Sequence, residues 1–237
     1  MIQEIKNKLI IQELKPLIKG KKICYLTGAG ISVASGVKPF RGKDGIYTNN
    51  PDLIYKLRPD TFETDPDFLY NFHEDFREQL LDKKPNIVHD IITKTAFDVI
   101  TQNIDDLHEK SGFNKVIHIH GQVNEYRCRS CHFIYKGSFS QNQECIRCGE
   151  QKLRHNVVLF KENLLKNNLA MIVLEEAEIF IAVGTSGTIY PVAQYPQLTK
   201  AITICINPEL PENHHMFQHV LIGDPEKLLM SLFSLTK

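Results

Sequence analysis

The sequence predicts an α/β protein built on a Rossmann-like parallel sheet with helices on both faces. The 237 residues contain six short apolar segments, each typical of a strand that is buried on both faces. Helical patterns separate several of these segments, and such alternation is typical of a parallel sheet. Two Cys-x-x-Cys pairs add a metal-binding module to this pattern. We therefore expect a large sheet domain and a smaller zinc-binding domain that two insertions form.

The first element is a helix. Apolar residues recur at roughly helical spacing between Ile2 and Ile18, and Gly20 follows as a stop signal. Pro16 interrupts the pattern, so we expect a kink or an early end there. Residues 164–177 carry a second helical pattern. The predicted strands are residues 23–26, 97–100, 116–119, 179–183, 201–206 and 220–222.

Two segments fit this alternation poorly and are interpreted as insertions. Residues 41–85 are rich in aromatic and charged side chains and contain four prolines, and residues 121–156 contain the cysteine pairs. We predict that these two segments form the small domain, with a helical part and a zinc ribbon. Residues 1–40, 86–120 and 157–237 then form the large domain. A cleft between two domains is the expected place for chemistry.

The composition excludes several classes of partner. The 28 basic residues balance the 28 acidic ones, so no overall field attracts nucleic acid or an anionic membrane. No apolar run approaches the ~20 residues of a membrane helix, and the first residues lack a signal-peptide pattern. We expect a cytoplasmic protein that binds neither membrane nor nucleic acid.

The cysteine pairs place four sulfur ligands where they can close a tetrahedron around one metal ion. Zinc is the default ion for four sulfurs, although iron is possible. Two disulfides are the alternative, which the reducing cytosol disfavours. Cys24 and Cys205 lie in predicted strands, where we expect them to be buried packing residues. The candidate ligands are Cys128, Cys131, Cys145 and Cys148.

A glycine-rich turn follows the first predicted strand. Glycines at a strand-to-helix turn allow the backbone to approach a pyrophosphate, whose charge suits the helix N-terminus. Val33 occupies the third glycine position of Gly-x-Gly-x-x-Gly, so a tight structural turn remains the alternative. The turn consists of Gly28, Ala29, Gly30, Ile31 and Ser32.

Polar or small residues also follow three other predicted strands. Amides and a carboxylate in such places can bind ribose hydroxyls, a carboxamide or phosphates, although helix capping is the alternative for Asn103 and Asp105. These residues are Gln102, Asn103, Ile104 and Asp105, then Gly184, Thr185 and Ser186, then Asn207, Pro208 and Glu209.

Two histidines share one face of the third predicted strand. His120 lies at the strand end beside Gly121, where its side chain can reach a cleft. An unperturbed pKa near ~6.5 allows a histidine to accept a proton close to neutrality. A satisfied structural histidine is the alternative, and we expect this role for His118.

Taken together and in this order, the motifs resemble the sirtuin family of NAD-dependent protein deacylases. The resemblance runs from residue 21 to residue 229, and it is closest to the branch that includes bacterial and mitochondrial deacylases. It implies a Rossmann-like NAD-binding domain, a small domain with one structural zinc ion, and a cleft in which NAD meets an acyl-lysine protein or peptide. We expect the chain to be a monomer.

The resemblance also assigns roles to residues. His120 and Asn103 would be catalytic, and Asp105 would position the nicotinamide ribose and carboxamide. The glycine turn with Phe40 and Arg41 would hold phosphates and cover the nicotinamide. The residues implied to contact NAD are Gly28, Ala29, Gly30, Ile31, Ser32, Phe40, Arg41, Gln102, Asn103, Ile104, Asp105, Gly184, Thr185, Ser186, Asn207, Pro208, Glu209 and Pro225.

The implied reaction begins when the acyl-amide oxygen attacks the anomeric carbon of the nicotinamide ribose and nicotinamide leaves. His120 then acts as general base on a ribose hydroxyl, and water later releases acyl-ADP-ribose and free lysine. Zinc takes no part, because four cysteines leave no open coordination position.

Departures from the family bear on the substrate. Where members selective for succinyl or malonyl lysine have Phe-Tyr-x-x-Arg-Arg, this chain has Phe72, His73, Phe76 and Arg77 at the first, second, fifth and sixth positions. The fork that would clamp a carboxylate is missing, so we expect a pocket for acetyl or longer neutral acyl groups, with His73 and Phe76 as substrate contacts. Arg77, in a shifted register, is the alternative partner for an acid.

The chain departs from the family pattern a second time at residues 154–161, where we expect the contacts with the peptide. We expect an extended peptide to bind along a backbone edge there. His155 and Lys161 replace the proline and glycine of the family, and Lys161 leaves the peptide preference open. Pro39 stiffens the cofactor loop that carries Phe40 and Arg41, which changes how this loop closes. The edge consists of Val157, Val158, Leu159 and Phe160.

Other functions remain open from the residues alone. ADP-ribosyl transfer or NAD hydrolysis needs the same cofactor pocket, whereas a hydride-transferring enzyme is disfavoured because the glycine turn is not its fingerprint. A non-catalytic NAD- or nucleic-acid-binding module would use the basic residues of the cysteine segment, but acidic neighbours favour a solvated surface. These basic residues are Arg127, Arg129, Lys136 and Arg147.

Overall fold

The computed structural model describes residues 2–137 and 139–235. Within this part, the strands are β1 Ile23–Thr27, β2 Asp98–Thr101, β3 Val116–His118, β4 Gly121–Cys128, β5 Ile134–Lys136, β6 Leu153–Val157, β7 Ile179–Val183, β8 Ile202–Asn207 and β9 His219–Ile222. The α-helices are α1 Ile2–Ile18, α2 Ile46–Asn49, α3 Leu53–Lys56, α4 Thr61–Thr64, α5 Pro66–Leu80, α6 Ile87–Thr95, α7 Leu107–Lys110, α8 Asn167–Glu176, α9 Tyr195–Leu198 and α10 Pro225–Leu232. Short 3-10 helices cover Ala29–Ser35, Val192–Gln194 and His214–Met216.

Six strands form one parallel sheet in the order β3-β2-β1-β7-β8-β9. Side chains alternate across it: Ile23 and Tyr25 of β1 pack with α1, α6 and α10, whereas Cys24 and Leu26 pack with α8. Because both faces are covered by helices, every strand is apolar nearly throughout. The predicted fold class is confirmed.

Strand β7 and helix α1 have the predicted boundaries, and the other predicted elements differ from the structure by at most three residues. The predicted helix over residues 164–177 was too long, because α8 begins at Asn167. The Leu165 amide instead donates to the Ile119 carbonyl at 2.9 Å, and Lys166 has a left-handed φ of 53°. Helix α1 continues through Pro16 to Ile18, since a proline in the last turn removes few helical hydrogen bonds.

The connections of the parallel sheet place its ligand crevice. The chain passes from β1 outward to β2 and β3, and later returns on the other side of β1 to form β7, β8 and β9. The direction of the strand order therefore reverses between β1 and β7. In open parallel sheets, ligands bind beyond the carboxyl ends of the strands at such a reversal.

A three-stranded antiparallel sheet, in the order β5-β4-β6, contains the cysteine segment. Helix α5 begins at Pro66, where the Asp65 carboxylate accepts a hydrogen bond from the Phe68 amide at 3.1 Å. Phe76 of α5 packs against Val123 and Val157 near this sheet. The helical insertion and the cysteine segment therefore contact each other, while the predicted domain boundaries stay a prediction.

In the described part of the chain, no helix combines the length and apolar character that crossing a membrane requires.

Two buried histidines lie beneath the sheet edge. His89 accepts a hydrogen bond from the Asn86 amide at 3.4 Å as part of the capping box of α6, and its Nε2 has no partner among the described residues. His108 lies beside it, with ring centroids 5.2 Å apart, and its Nε2 is 3.0 Å from the Thr27 hydroxyl. Burial lowers the pKa of His89 to about 4 and also lowers the pKa of His108. Both rings are therefore neutral near pH 7.

We expect the free energy of unfolding to fall in acid, with His89 as a measurable contributor. Its stabilising contribution is complete above the unfolded pKa of ~6.5 and is lost as pH falls, because only the unfolded chain takes up the proton. The loss is about 1.4 kcal/mol per pH unit between pH ~6.5 and the folded pKa. His89→Gln retains a capping-box residue but cannot titrate. Urea unfolding between pH 7.5 and 5.0 should give a shallower pH dependence of the free energy of unfolding for this variant, with a difference that approaches one proton near pH 5. Equal slopes would contradict the assignment.

Candidate active site and metal centre

A cavity of about 530 Å³ runs along the carboxyl edge of the parallel sheet. Residues that follow β1, β2, β7 and β8 line it, together with His120 just beyond β3 and residues from the helical insertion. The structure thus brings together most of the sequence-predicted site. The predicted residues on its wall are Gly28, Ala29, Gly30, Phe40, Arg41, His73, Gln102, Asn103, Ile104, His120, Val157, Val158, Leu159, Phe160, Gly184, Thr185, Ser186, Asn207 and Glu209.

The turns after β1 and β7 pack backbone against backbone. The Gly28 amide donates to the Val183 carbonyl at 3.1 Å, and the Gly30 amide donates to the Gly184 carbonyl at 2.9 Å. A Cβ on Gly28 would lie 2.6 Å from the Gly184 oxygen, and one on Gly30 would lie 2.7 Å from the Gly184 Cα. These glycines are therefore required by turn-to-turn packing, in addition to the expected approach of a ligand. A 3-10 helix, rather than an α-helix, begins inside the first turn at Ala29 and ends at Ser35.

The same turns offer hydrogen-bond donors to the cavity. The amides of Ala29, Thr185 and Ser186 donate to no other residue in the described part of the chain. Backbone amides that converge on one concavity suit an anion such as a phosphate. The donor set of this wall therefore fits the pyrophosphate of a dinucleotide.

Asn103 is held in one orientation by its own amide group. Its Nδ2 donates to the Gly28 carbonyl and to the Ser32 hydroxyl, both at 3.2 Å, which leaves Oδ1 for a ligand. The Ser32 hydroxyl in turn donates to Asp105 at 2.9 Å, and the Leu107 amide donates to the other oxygen of Asp105 at 3.2 Å. Burial raises the pKa of Asp105, and these two hydrogen bonds oppose the rise. Asp105 supports the site from below.

Several predicted site residues do not line the cavity. Both carboxylate oxygens of Asp105 are engaged beneath the wall, and Phe76 is buried with its ring stacked on Phe40 at 5.4 Å. Pro208 is exposed, and Pro225 is the first residue of α10. Direct contacts of these residues with a ligand stay predictions. The full set is Ile31, Ser32, Phe76, Asp105, Pro208 and Pro225.

His120 has the geometry of a base. Its Nδ1 lies 2.8 Å from the Gln102 carbonyl oxygen. Because a carbonyl only accepts hydrogen bonds, Nδ1 carries a hydrogen and Nε2 is the atom that gains or loses the proton. Burial lowers the pKa of His120, and the hydrogen bond to Gln102 opposes this shift. The imidazole is therefore neutral near pH 7, with an unprotonated Nε2.

His118 differs from His120 in its surroundings. It is buried, its Nδ1 lies 3.0 Å from the Asn103 carbonyl, and its Nε2 lies 2.8 Å from Glu109. With both ring nitrogens engaged, His118 has no free atom for proton transfer, which agrees with the structural role expected for it.

The sequence prediction missed one wall of the cavity. This wall comes from the helical insertion and Pro39 just before it, from the segment after Phe160, and from the turn after Ser186, and none of its residues lies directly at a strand end. Tyr47 packs its ring on Phe40 at 5.4 Å and against Phe160 at 5.2 Å. Turn signals near Gly187 and Pro191 could have indicated part of it. The missed residues include Pro39, Gly42, Tyr47, Leu57, Phe72, Glu162, Leu164, Thr188, Ile189 and Tyr190.

The four paired cysteines converge outside this cavity. Their sulfur atoms all lie within 4.8 Å of one another, and Cys128 is 3.7 Å from Cys148 while Cys131 is 3.6 Å from Cys145. Four sulfurs at ~2.3 Å from one zinc ion are about 3.8 Å apart, whereas a disulfide requires ~2.05 Å. The arrangement fits one tetrahedral zinc ion. Since none of the four lines the cavity, the ion would be structural.

Replacing one ligand should release the metal. Cys128→Ser removes a thiolate, so we expect zinc content to fall from about one ion per chain to well below that, and thermal unfolding to begin at lower temperature. Metal analysis and calorimetry of the purified variant provide the measurement. Cys24→Ala is the matched control. Because Cys24 is a buried packing residue, the protein with this substitution should keep its full zinc content. Full zinc content with unchanged melting in Cys128→Ser would contradict the metal site.

Comparison with known families gives a match over most of the chain. The Sir2 family model matches residues 28–191. The NAD-dependent protein deacylase of Aquifex aeolicus is 39% identical over 203 residues, which cover 79% of this chain and 83% of that protein. The NAD-dependent protein deacylase of Shewanella oneidensis is 34% identical over 224 residues, which cover 89% of this chain and 92% of that protein.

Solved structures show the same similarity. A Sir2 homolog–NAD complex is 31% identical with a TM-score of 0.82, covering 94% of this chain and 92% of that one. A Sir2–p53 peptide–NAD+ structure is 29% identical with a TM-score of 0.78, covering 94% of this chain and 97% of that one.

Proposed function

Because the chain belongs to the Sir2 family and is an NAD-dependent protein deacylase, we propose that the cavity along its sheet edge is the active site and that His120 is the general base. The observation that carries this proposal is the hydrogen bond from His120 Nδ1 to the Gln102 carbonyl, which leaves Nε2 free to accept a proton. NAD, the co-substrate, supplies the ribose that receives the acyl group.

Different residues of the cavity wall bind different parts of NAD. The free amides of Ala29, Thr185 and Ser186 bind the phosphates, and Asn207, the last residue of β8, and Glu209 just beyond it lie at the ribose end of the same edge. Phe40 and Arg41, in the loop after the first 3-10 helix, cover the cavity. Asn103 presents its Oδ1 between the phosphate donors and His120. His120 then takes the proton of a ribose hydroxyl at Nε2, and the bond to Gln102 keeps the imidazolium in position.

The backbone edge at residues 157–160, where we expect the peptide, has fewer free hydrogen-bonding groups than an unpaired strand. The Val158 amide already donates to the His120 carbonyl at 2.8 Å, and the Phe160 amide donates to the Leu57 carbonyl at 2.9 Å. The Leu159 amide donates to Glu162 at 2.8 Å. The Val158 carbonyl accepts no hydrogen bond from the described residues. We therefore assign it to the amide N–H of the acyl-lysine, which would place the acyl group beside His120.

The acyl pocket supports a preference for neutral acyl groups, acetyl or longer. Phe76 is buried in the core beneath the cavity, and Arg77 donates from Nε to Glu74 at 3.0 Å. Neither position offers a free cation to a carboxylate, so succinyl or malonyl lysine would bury an unpaired charge. The shifted register that could bring Arg77 to an acid is not present in this structure.

The thiols and the net charge bear on where the protein acts and what it does not bind. Four unpaired thiols that bind zinc suit a reducing compartment, which supports a cytoplasmic location. A formal net charge of zero supports the absence of nucleic-acid binding. We also propose a monomer with two domains, one formed by residues 1–40, 86–120 and 157–237 and the other by residues 41–85 and 121–156.

The products test the function. Wild-type protein with NAD and an acetyl-lysine peptide should form acetyl-ADP-ribose in step with free lysine, both identified by mass. His120→Ala should lower kcat/KM by roughly 10²-fold or more, as expected when a general base is lost. The control is His215→Ala, which removes an exposed histidine outside the cavity. ADP-ribose formed without peptide would indicate NAD hydrolysis, and unchanged turnover in His120→Ala would exclude its role.

The pH profile gives an independent test of the base. Since burial lowers the pKa of His120 from its ordinary value of ~6.5, the acid limb of kcat/KM should have its midpoint below that value. We would measure kcat/KM between pH 5 and 8 at a temperature at which the protein stays folded throughout. An acid limb with its midpoint above pH 7, or the same limb in His120→Ala, would contradict the assignment.

A further inference from the structure

His73 is a polar side chain in an apolar part of the cavity wall. It lies on α5 and is only 5% exposed, yet it lines the cavity. Leu57, Leu69 and Leu159 form one hydrophobic cluster with Phe72, whose ring meets His73 edge to face at 5.4 Å. Leu159 directly follows Val158, whose carbonyl we assign to the acyl-lysine amide. His73 therefore belongs to the wall towards which a longer acyl chain extends.

The hydrogen bonds of His73 fix what it offers to a ligand. Its Nδ1 lies 2.8 Å from the Leu69 carbonyl one helical turn earlier, so Nδ1 carries the hydrogen. Burial lowers the pKa of His73 to about 3, which keeps the ring neutral and Nε2 unprotonated. No other residue in the described part of the chain bonds Nε2, and Nε2 is not among the fully buried polar atoms that lack a partner. It is thus a free acceptor with access to the cavity.

The neighbouring histidine does not satisfy this acceptor. The rings of His155 and His73 are 5.5 Å apart between centroids. His155 donates from Nδ1 to the Val123 carbonyl at 2.9 Å, and its Nε2 lies 3.4 Å from Glu74 without a hydrogen bond. A ligand or water in the cavity is therefore the partner left for His73.

We propose that His73 makes this deacylase selective for lysine acyl groups that carry a hydroxyl, such as hydroxybutyryl groups. The hydroxyl donates its hydrogen to Nε2 while the carbon chain packs against the apolar wall. This inference rests on the deacylase function proposed above and adds the substrate class of its acyl pocket.

The alternatives fit the same wall less well. An unsubstituted alkyl chain would cover Nε2 and displace water from it without returning a hydrogen bond, which is costly in a buried place. A carboxylate offers only acceptors and would face the lone pair of Nε2. The expected order is therefore hydroxyacyl over alkyl acyl of the same length, and alkyl acyl over carboxyacyl.

Matched peptides test the proposal directly. One peptide is prepared with butyryl-lysine and with 2-, 3- or 4-hydroxybutyryl-lysine, and kcat/KM is measured for each with saturating NAD. We expect at least one hydroxy isomer to exceed butyryl by about 5- to 10-fold, the effect of one hydrogen bond to a buried acceptor. The position of the preferred hydroxyl then reports the depth of Nε2.

Two variants assign the preference to His73. His73→Phe keeps a ring of similar size without an acceptor, so the ratio of hydroxybutyryl to butyryl should fall to about one or below. His73→Gln restores an acceptor oxygen and should keep the ratio above that of His73→Phe. His89→Gln, a buried histidine outside the cavity, is the control and should keep the wild-type ratio.

Failure of the inference and failure of the proposed function look different. If no peptide yields acyl-ADP-ribose, the function is wrong. If acyl-lysine peptides are turned over but no hydroxy isomer exceeds butyryl in the wild type, the inference is overturned, whether or not the variants fold. A wild-type ratio retained in folded His73→Phe would overturn it as well.

Discussion

The contact between the turns after β1 and β7 is the constraint on which the site depends. Two backbone hydrogen bonds join these turns where the strand order reverses, and Gly184 leaves no room for side chains at Gly28 and Gly30. From there, hydrogen bonds continue along the sheet edge: Gly28 accepts from Asn103, and the Thr185 hydroxyl donates to Gln102 at 2.8 Å. Gln102 in turn accepts from His120. The proposed base is thus positioned by a row of contacts that begins at the glycines.

A second network ties the small sheet to the same cavity. Arg154 of β6 is 6% exposed and pairs with Glu162 at 2.7 Å. Burial lowers the pKa of Arg154, and the bond to Glu162 opposes this. Glu162 also accepts from the Leu159 amide, which fixes the backbone beside Val158. Since a buried charge needs its partner, this pair restricts how the peptide edge can move. The zinc ion that the four cysteines fit would stabilise the far end of the same sheet, outside the cavity.

The sequence predicted the sheet and one wall of the site because one rule governs both. Strands buried on both faces are apolar throughout, and the carboxyl ends of parallel strands share an edge, so Asn103, His120 and Ser186 could be placed together from the amino-acid sequence alone. The opposite wall could not be predicted in this way. Tyr47 and Phe72 belong to helices whose position depends on packing against the small sheet, and no periodicity in the sequence records that packing. Burial of Asp105 beneath Ser32 likewise depends on three-dimensional packing.

Backbone groups form one side of the cavity and side chains form the other, and this difference bears on evolution. On the side proposed for the dinucleotide, the backbones of the turns after β1 and β7 pack directly against each other, so a side chain added at Gly28 or Gly30 disturbs both turns. On the side proposed for the acyl group, Phe72 and His73 are side chains of the 15-residue helix α5, and exchanging either one alters shape and polarity without moving the sheet. Descendants of such a protein can therefore change the lysine modification that they remove while their co-substrate stays the same.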